Sequence, residues 1–373
     1  MKEIMRRLHF WLGLLSGIVV FIVCVTGCLY VFKDEIQSAT QPWKRVEVRQ
    51  VPLVKPSLAL QRAVAMTRDT LPSALTIGVE GDALEVDYAD WMAGTSTSIF
   101  LNPYSGQVIK TVRKDKDDFD FFSFVLRGHR SLWFPREIGR GLVDYGVLLF
   151  FVTLVTGVVI WLPRRWNRNT WRQKLTFHRP LKWARFNFDM HNVLGMYLLV
   201  PLAVLCFTGL MMGPSWFSRG VYSLVSGGDT LKAYTLPKAD TSLTHTHRWQ
   251  KIDTLHARLQ REEARAVQFY YALLQTKDGV VRVSVVHERG SYYRTDNRFF
   301  DPATLKELQG TGPYAGKYTQ VGAADAMMRM NLSIHDGRIW GIWGKILMFV
   351  ASLTGASLPV TGFVIWWRKR KRK

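Results

Sequence analysis

Cysteine is scarce in this sequence of 373 residues, which contains three: Cys24, Cys28 and Cys206. All three fall inside long apolar runs, and the polar stretches between those runs contain none. A disulfide framework is therefore excluded for the polar stretches, which must be held together by core packing. The four histidines considered below have no thiols or carboxylates nearby at metal-ligand spacing, which argues against a closed zinc site. We interpret Cys24 and Cys206 as small residues at helix interfaces.

Formal charge is absent from residues 9–32, although the whole chain has a net charge of +21. Three further runs, 145–162, 192–218 and 346–367, are long enough to cross a bilayer, which takes about 20 apolar residues. Acidic residues are missing from the two most basic segments, which flank these runs. Basic residues concentrated beside apolar runs are typical of the cytoplasmic loops of a membrane protein. A nucleic-acid-binding protein would also be basic, but the position of this charge beside the apolar runs favours the membrane protein.

The pattern predicts a mainly α membrane protein with both termini in the cytoplasm. We expect four transmembrane helices, at 1–32, 139–162, 189–218 and 341–367. The basic segments would be a cytoplasmic loop at 163–188 and a cytoplasmic tail at 368–373, with eight and six Lys and Arg residues. The first apolar run is too long for the core of a cleaved signal peptide, which favours a retained helix.

Two long segments, 33–138 and 219–340, would then face the other side of the membrane, and each has the pattern of a small α+β module. In the first, 57–67 has helical periodicity and 83–88 alternates apolar and polar residues as a strand does. In the second, 255–264 and 279–288 repeat that order. The sequence therefore predicts two tandem repeats of helix, module and helix.

Histidines mark the same repeat. His9, Gly13, Thr26 and Gly27 in the first helix match His191, Gly195, Thr208 and Gly209 in the third at a constant offset of 182 residues. The second and fourth helices end in similar segments, "TGVVIWLPRR" at 156–165 and "TGFVIWWRKR" at 361–370. A histidine precedes each Thr-Gly pair, His129 by 27 residues and His335 by 26. Pro201 and Pro359 should kink the third and fourth helices.

The four histidines fall at two predicted depths. His9 and His191 begin helices at the cytoplasmic end, while His129 and His335 precede helices that run the other way and lie toward the outer face. Imidazole ligates metals and haem iron, so two histidines at one depth could hold a porphyrin between them. The alternatives are a zinc or copper ion, or histidines that simply meet water or lipid headgroups.

Gly13 and Gly195 follow their histidines by four residues, on the same helix face, and would let a flat ring approach the backbone. His129 lies 28 residues before Gly157, about 42 Å if wholly helical, which exceeds a bilayer crossing. We therefore place it on a separate interfacial helix within "FDFFSFVLRGHR". We predict that three further histidines are ordinary surface residues: His178, His256 and His287.

Four segments resemble the PepSY-associated transmembrane family of bacterial inner-membrane proteins: "HFWLGLLSGIVVFIVCVTGCLYVF", "HRSLW", "HNVLGMYLLVPLAVLCFTGLM" and "TGFVIWW". The resemblance covers essentially the whole chain and implies that the outward segments are PepSY-like modules. The family includes ferric-siderophore reductases of the ferrioxamine reductase type, which carry b-type haems with paired histidine ligands. By resemblance, the chain would bind two haems b through His9, His129, His191 and His335.

The resemblance also implies a function. One haem near the cytoplasm and one near the outer face would pass electrons to a periplasmic ferric siderophore, of the hydroxamate type, and release Fe(II). The sequence has no Gly-x-Gly-x-x-Gly followed by a strand and helix, so the donor is expected to be separate, either quinol or a cytoplasmic reductase. Two other functions are compatible with the pattern: a haem-free anchor that binds a peptidase or another envelope partner, and a siderophore or iron permease.

Overall fold

The computed structural model describes residues 2–67, 71–90, 92–163, 167–178, 182–241, 251–273, 276 and 278–371. The chain divides into two compact units. We call the first the helical unit; it comprises Met1–Asp34, Asp120–Val221 and Asn331–Lys373. We call the second the sheet unit; it comprises Glu35–Phe119 and Tyr222–Met330.

Helices account for most of the regular structure in the described residues. Those in the first half are α1 (Lys2–Tyr30), α2 (Lys33–Thr40), α3 (Pro56–Met66), α4 (Phe121–Ser131), α5 (Arg136–Trp161) and α6 (Arg168–Leu175). Next come α7 (Trp183–Asp189), a π-helical turn (Met190–Leu194), α8 (Gly195–Tyr197), α9 (Leu199–Met212) and α10 (Ser215–Ser226). The last are α11 (Ile252–Glu262), α12 (Ala323–His335) and α13 (Gly341–Arg370). His129 thus lies on a short helix of its own, α4, as its distance from the second apolar run predicted.

Within the described residues, the helices that include α1, α5 and α13 are long and apolar enough to cross a membrane. The bent segment from α7 to α9 makes a fourth if it is counted as one span. The bend is 66° and falls at Leu198, because Pro201 has no backbone N–H for the helical bond to Tyr197. The kink expected at Pro359 does not interrupt α13, which continues through it. The protein is therefore a multi-pass membrane protein, while the four-span layout stays a prediction.

The core of the helical unit lies midway along the long helices. It is formed by Val20 of α1, Phe150 and Leu154 of α5, Leu202 and Cys206 of α9, and Leu358 of α13. Cys24 packs against this core, and a Cβ at Gly355 would lie 2.9 Å from its Sγ, so the prediction that the cysteines lie at helix interfaces is confirmed. Small residues let membrane helices approach closely, and here they bring α13 against α1.

The sheet unit contains one antiparallel sheet with the strand order β4-β3-β2-β1-β5-β6-β7-β8. Its strands are β1 (Ala74–Gly78), β2 (Leu84–Asp90), β3 (Thr95–Leu101), β4 (Val108–Lys114), β5 (Gln268–Leu273), β6 (Val281–Val286), β7 (Thr295–Phe300) and β8 (Glu307–Leu308). The strands predicted at 83–88 and 279–288 are confirmed as β2 and β6. The two predicted modules are not separate, because β1 pairs with β5 in the register Ala74↔Ala272 to Gly78↔Gln268. This pairing removes the exposed edge that each four-stranded half would otherwise have.

One face of the sheet carries the principal core of this unit. Ala59, Leu60 and Ala63 of α3 and Ile252, Leu255 and Leu259 of α11 pack onto inward-facing strand residues such as Val86 and Val283. The alternation of buried and half-buried residues along β2 and β6 is the period of two that the sequence displayed. Both predicted helices, 57–67 and 255–264, are confirmed as α3 and α11.

Candidate functional site

Four histidine rings of the helical unit form two pairs. His9 of α1 and His191 of the π-helical turn have ring centroids 6.3 Å apart, with their planes at 89°. His129 of α4 and His335, the last residue of α12, have centroids 6.2 Å apart, with their planes at 65°. Thr26, which contacts His129, follows His9 by 17 residues in α1, so the pairs lie about 25 Å apart along that helix. Each pair takes one ring from each half of the repeated sequence.

Threonine side chains hold the first pair, which we call the inner pair. His9 Nδ1 lies 3.1 Å from the hydroxyl of Thr156 and 3.1 Å from the carbonyl oxygen of Thr153, both in α5. His191 Nδ1 lies 2.9 Å from the hydroxyl of Thr361 in α13. The end of one membrane helix therefore fixes the histidine at the beginning of another.

The second pair, the outer pair, is held in the same way. His129 Nδ1 lies 2.9 Å from the carbonyl oxygen of Val23 and 3.3 Å from the hydroxyl of Thr26, both in α1. His335 Nδ1 lies 2.8 Å from the hydroxyl of Thr208 in α9. All four threonines belong to the repeated Thr-Gly pairs, to which the sequence patterns assigned no role.

The hydrogen bonds of these threonines fix the proton on each ring. A hydroxyl has one proton, and Thr208 donates it to the carbonyl of Val204 at 2.6 Å, as Thr361 does to Ser357 at 2.8 Å. The hydroxyl oxygen must then accept from Nδ1–H of the histidine. Thr26 and Thr156 donate within their own helices in the same manner. With the proton on Nδ1, each ring has a free lone pair on Nε2, the form in which imidazole binds a metal.

The glycine of each Thr-Gly pair makes room for the ring. A Cβ added at Gly157 would lie 3.1 Å from His9 Cε1, and one at Gly362 would lie 3.2 Å from His191 Cε1. The corresponding distances are 3.4 Å for Gly27 to His129 and 3.6 Å for Gly209 to His335. Threonine thus orients the ring, and glycine lets it lie against the helix backbone. The fourfold recurrence of Thr-Gly at helix ends was the sequence signal for these residues.

The sequence of the chain matches the PepSY-associated TM region over residues 6–369. The chain belongs to this family. None of the curated proteins matches it. The family match agrees with the apolar spans, and both histidine pairs lie inside the matched region.

Two asparagines extend the histidine sites of this PepSY-associated TM protein. Asn187 Nδ2 donates to the carbonyl of Thr361 at 3.1 Å, and Asn331 Nδ2 donates to the carbonyl of Thr208 at 3.0 Å. Both are buried, and each precedes its histidine, His191 or His335, by one helical turn. In the first half, Met5 and Val125 occupy the equivalent positions. The second-half histidine of each pair therefore has an additional hydrogen bond beside it, between the asparagine and the carbonyl of the threonine.

The spacing of the rings suits one metal ion between each pair. A metal–imidazole bond is about 2.0 Å long and the nitrogen lies about 1.1 Å from its ring centroid, so two imidazoles on opposite sides of one ion have centroids about 6.2 Å apart. The observed separations of 6.3 and 6.2 Å agree with this value. Each pair offers two neutral imidazoles with Nε2 available as a ligand, a donor set that would fit a haem iron.

Gly13 and Gly195 face neighbouring helices at the inner pair. A Cβ at Gly13 would lie 3.7 Å from Thr153 Cγ2, and one at Gly195 would lie 3.3 Å from Leu358 Cδ2. Both glycines therefore stand where helices pack beside the paired rings. Their contact with a bound planar ring stays a prediction.

Charged groups surround the two second-half histidines. Two residues before His191, buried Asp189 forms an ion pair with Arg185 at 2.9 Å and lies 3.3 Å from His178 Nδ1. After His335, Arg338 pairs with Asp336 at 2.6 Å and with Asp34 at 3.1 Å. Burial raises the pKa of Asp336, and Arg338 opposes that shift. Ion pairs thus fix the chain immediately beside both rings.

The prediction that the other histidines are ordinary surface residues is wrong. His256 in α11 is 7% exposed, and its Nδ1 lies 2.7 Å from the hydroxyl of Tyr271. His287 is largely buried and its Nε2 lies 2.9 Å from Asp296 Oδ2. His178 is half-buried against Asp189. Single histidines in mixed polar segments carry no sequence signal that distinguishes such packed rings from surface ones.

Proposed function

We propose that this protein of the PepSY-associated TM family is a di-haem b reductase that passes electrons across the bacterial inner membrane to a periplasmic ferric siderophore. The observation that supports the proposal is the pair of ring–ring separations, 6.3 and 6.2 Å, with all four Nδ1 atoms held by hydrogen bonds. Both features are what two iron centres with paired imidazole ligands require.

The geometry of the two pairs supports the proposed ligand roles. His9 and His191 would hold one haem b, and His129 and His335 the other. Bound haem would supply a one-electron redox centre at each level of the helical unit. The threonine hydroxyls hold the proton at Nδ1, which keeps each ring in one orientation and raises the basicity of Nε2. The apolar core around Val20 keeps water out of the helix interior between the levels.

The proposed substrate class rests on the resemblance of the sequence to siderophore reductases. One electron reduces the chelated Fe(III) to Fe(II), for which the hard hydroxamate oxygens have a lower affinity, and the siderophore is released unchanged. Each iron consumes one electron, so one quinol, or one two-electron turnover of a cytoplasmic reductase, serves two ferric chelates. The cytoplasmic position of the inner pair rests on the basic segments beside it.

The test begins with haem. Purified protein should contain two haems b with low-spin spectra, and His9→Ala or His335→Ala should each remove about one of them. His256→Gln, which alters a histidine of the sheet unit, is the control and should leave both in place. A wild-type protein without haem would overturn the proposal in favour of an anchor or a permease.

The activity is tested on the same preparation. Protein reduced with dithionite and freed of excess reductant is mixed with a ferric hydroxamate chelate and ferrozine as a ferrous trap. Reoxidation of the wild-type protein should keep pace with formation of the ferrous complex, and His335→Ala should slow both. If the wild-type protein stays reduced with several ferric chelates but reoxidises with a quinone, its acceptor is not a siderophore.

A further inference from the structure

Three potential metal ligands converge in the sheet unit. The ligand atoms of Glu263, His287 and Asp296 all lie within 4.8 Å of one another. Glu263 follows α11, His287 follows β6 and Asp296 lies in β7, so three separate elements bring them together. His287 Nε2 lies 2.9 Å from Asp296 Oδ2, a distance that also suits two neighbouring ligands of one ion.

The cluster is enclosed and its geometry is fixed. The side chains of Glu263, His287 and Asp296 are 12%, 15% and 3% exposed. The backbone N–H of Tyr318 donates to Asp296 Oδ1 at 2.7 Å, which leaves Oδ2 directed toward His287. The backbone N–H of His287 is held by the carbonyl of Arg294 at 2.9 Å. The donors are therefore oriented by the surrounding backbone, as the ligands of a metal site are.

A lysine makes the shortest contact of a cation with this cluster. Lys317 Nζ lies 2.6 Å from Glu263 Oε1, and its side chain is 36% exposed at the end of a flexible stem. Arg298 approaches Glu263 to 3.7 Å, but its short contacts, of 2.7 and 2.5 Å, are with Glu262 and Glu307. Lys317 is thus the cation that can leave, since its ammonium group can turn toward water while the carboxylates stay in place.

We propose that Glu263, His287 and Asp296 bind a divalent first-row metal ion and that the ion replaces the ammonium group of Lys317. Two carboxylate oxygens and one imidazole nitrogen suit Mn²⁺, Fe²⁺ or Zn²⁺ better than the all-oxygen preference of Mg²⁺ or Ca²⁺. On binding, Nε2 of His287 gives its lone pair to the metal, and the proton that it shared with Asp296 moves to Nδ1 of the same ring. Water completes the coordination.

Glu263 also provides a route to the cluster. The same residue lines a cavity of about 540 Å³ together with Gln260, Ala266 and residues at the end of β1. A hydrated ion can therefore reach Glu263 from the cavity, whose lining includes neither His287 nor Asp296. Fe(II) released by siderophore reduction would be an ion of this class, an assignment that rests on the proposed function.

The experiment measures Mn²⁺ binding to the full chain in detergent, from the loss of the room-temperature EPR signal of the free ion. Wild-type protein should bind one Mn²⁺, and Glu263→Gln, which preserves shape, should weaken binding about tenfold. Lys317→Met should tighten binding about tenfold, because the competing cation is gone. Lys238→Met is the matched control: it removes the lysine of an exposed ion pair with Asp278 in the same unit and should change nothing.

The outcomes separate the metal site from the reductase. If Lys317→Met fails to tighten Mn²⁺ binding and Glu263→Gln fails to weaken it, the cluster is a structural ion pair and the metal site is overturned. If the variants behave as expected in a protein that reduces no ferric chelate, the metal site stands and the assignment to released Fe(II) falls. Anaerobic Fe²⁺ that does not displace Mn²⁺ from an active reductase would overturn that assignment alone.

Discussion

The hydroxyl of Thr208 accepts a hydrogen bond from Nδ1 of His335 at 2.8 Å while it donates its own proton to the carbonyl of Val204. One side chain thereby sets both the direction and the tautomer of a ring that lies 127 residues away in the sequence. The same relationship recurs at the other three histidines of the two pairs. It determines which nitrogen each ring can offer to a metal.

Replacement of Thr208 should therefore impair the outer pair. Thr208→Val keeps the size of the side chain but removes the acceptor for Nδ1–H, and we expect haem at the outer pair to bind about 10- to 100-fold more weakly. Haem quantification and a redox titration measure the effect. Thr208→Ser, which retains the hydroxyl, should behave like the wild type, and equal losses in both variants would contradict the hydrogen-bond explanation.

The space that Gly157 leaves beside the ring of His9 leads to a second prediction. Gly157→Val places a side chain about 3 Å from His9 Cε1 and should displace the ring, with selective loss of the inner haem. Gly141→Val, in the same helix, meets no atom within 4 Å of its Cβ and should leave both haems in place. Haem content and visible spectra distinguish the two variants. Normal occupancy of both haems in Gly157→Val would show that the glycine is not needed for ring placement.

Acid should destabilise the sheet unit through His256. Burial lowers the pKa of this imidazole to about 4, from an ordinary value of 6.5. Between those values the unfolded chain binds a proton that the folded chain resists, so the contribution of His256 to stability is complete above pH 6.5 and is lost as the pH falls toward 4. Hydrogen exchange of β5, corrected for its intrinsic pH dependence, should accelerate over this range. His256→Gln should remove that part of the slope.

Membrane orientation is tested with reporter fusions. Basic residues in the segment 163–188 and in the tail 368–373 should keep both on the cytoplasmic side. Fusions at residue 175 and at the C-terminus should therefore both give a cytoplasmic signal. A periplasmic signal from either would contradict the predicted topology and the labels inner and outer for the two histidine pairs.

The histidine pairs were predictable because duplication leaves a signal that needs no tertiary structure. The constant offset between His9 and His191 indicated equal depth, and equal depth indicated pairing. The roles of Thr156 and Asn187 were not predictable, because each acts on a ring or a carbonyl in a different helix. Helix-to-helix register cannot be derived from apolar periodicity alone.

The sheet was likewise predictable only in part. The alternation in 83–88 and 279–288 predicted β2 and β6, since strands of a one-sided sheet expose every second residue. The pairing of β1 with β5 was missed because Ala74 and Ala272 carry no sequence feature that selects one partner strand over another. His256 was misplaced on the surface because its neighbours in α11 include charged residues on the opposite helix face.

Each histidine–threonine contact lies within one half of the chain, while each histidine–histidine pair joins the two halves. A protein made of a single half would contain its histidine–threonine contacts but no complete histidine pair. The first of its four antiparallel strands would also have one unpaired edge. Such a protein would be complete only as a homodimer with twofold symmetry. The duplicated chain thus has the organisation expected of a fused dimer, in which the two copies have since diverged: Asn187 and Asn331 are found in one copy, where the other has Met5 and Val125.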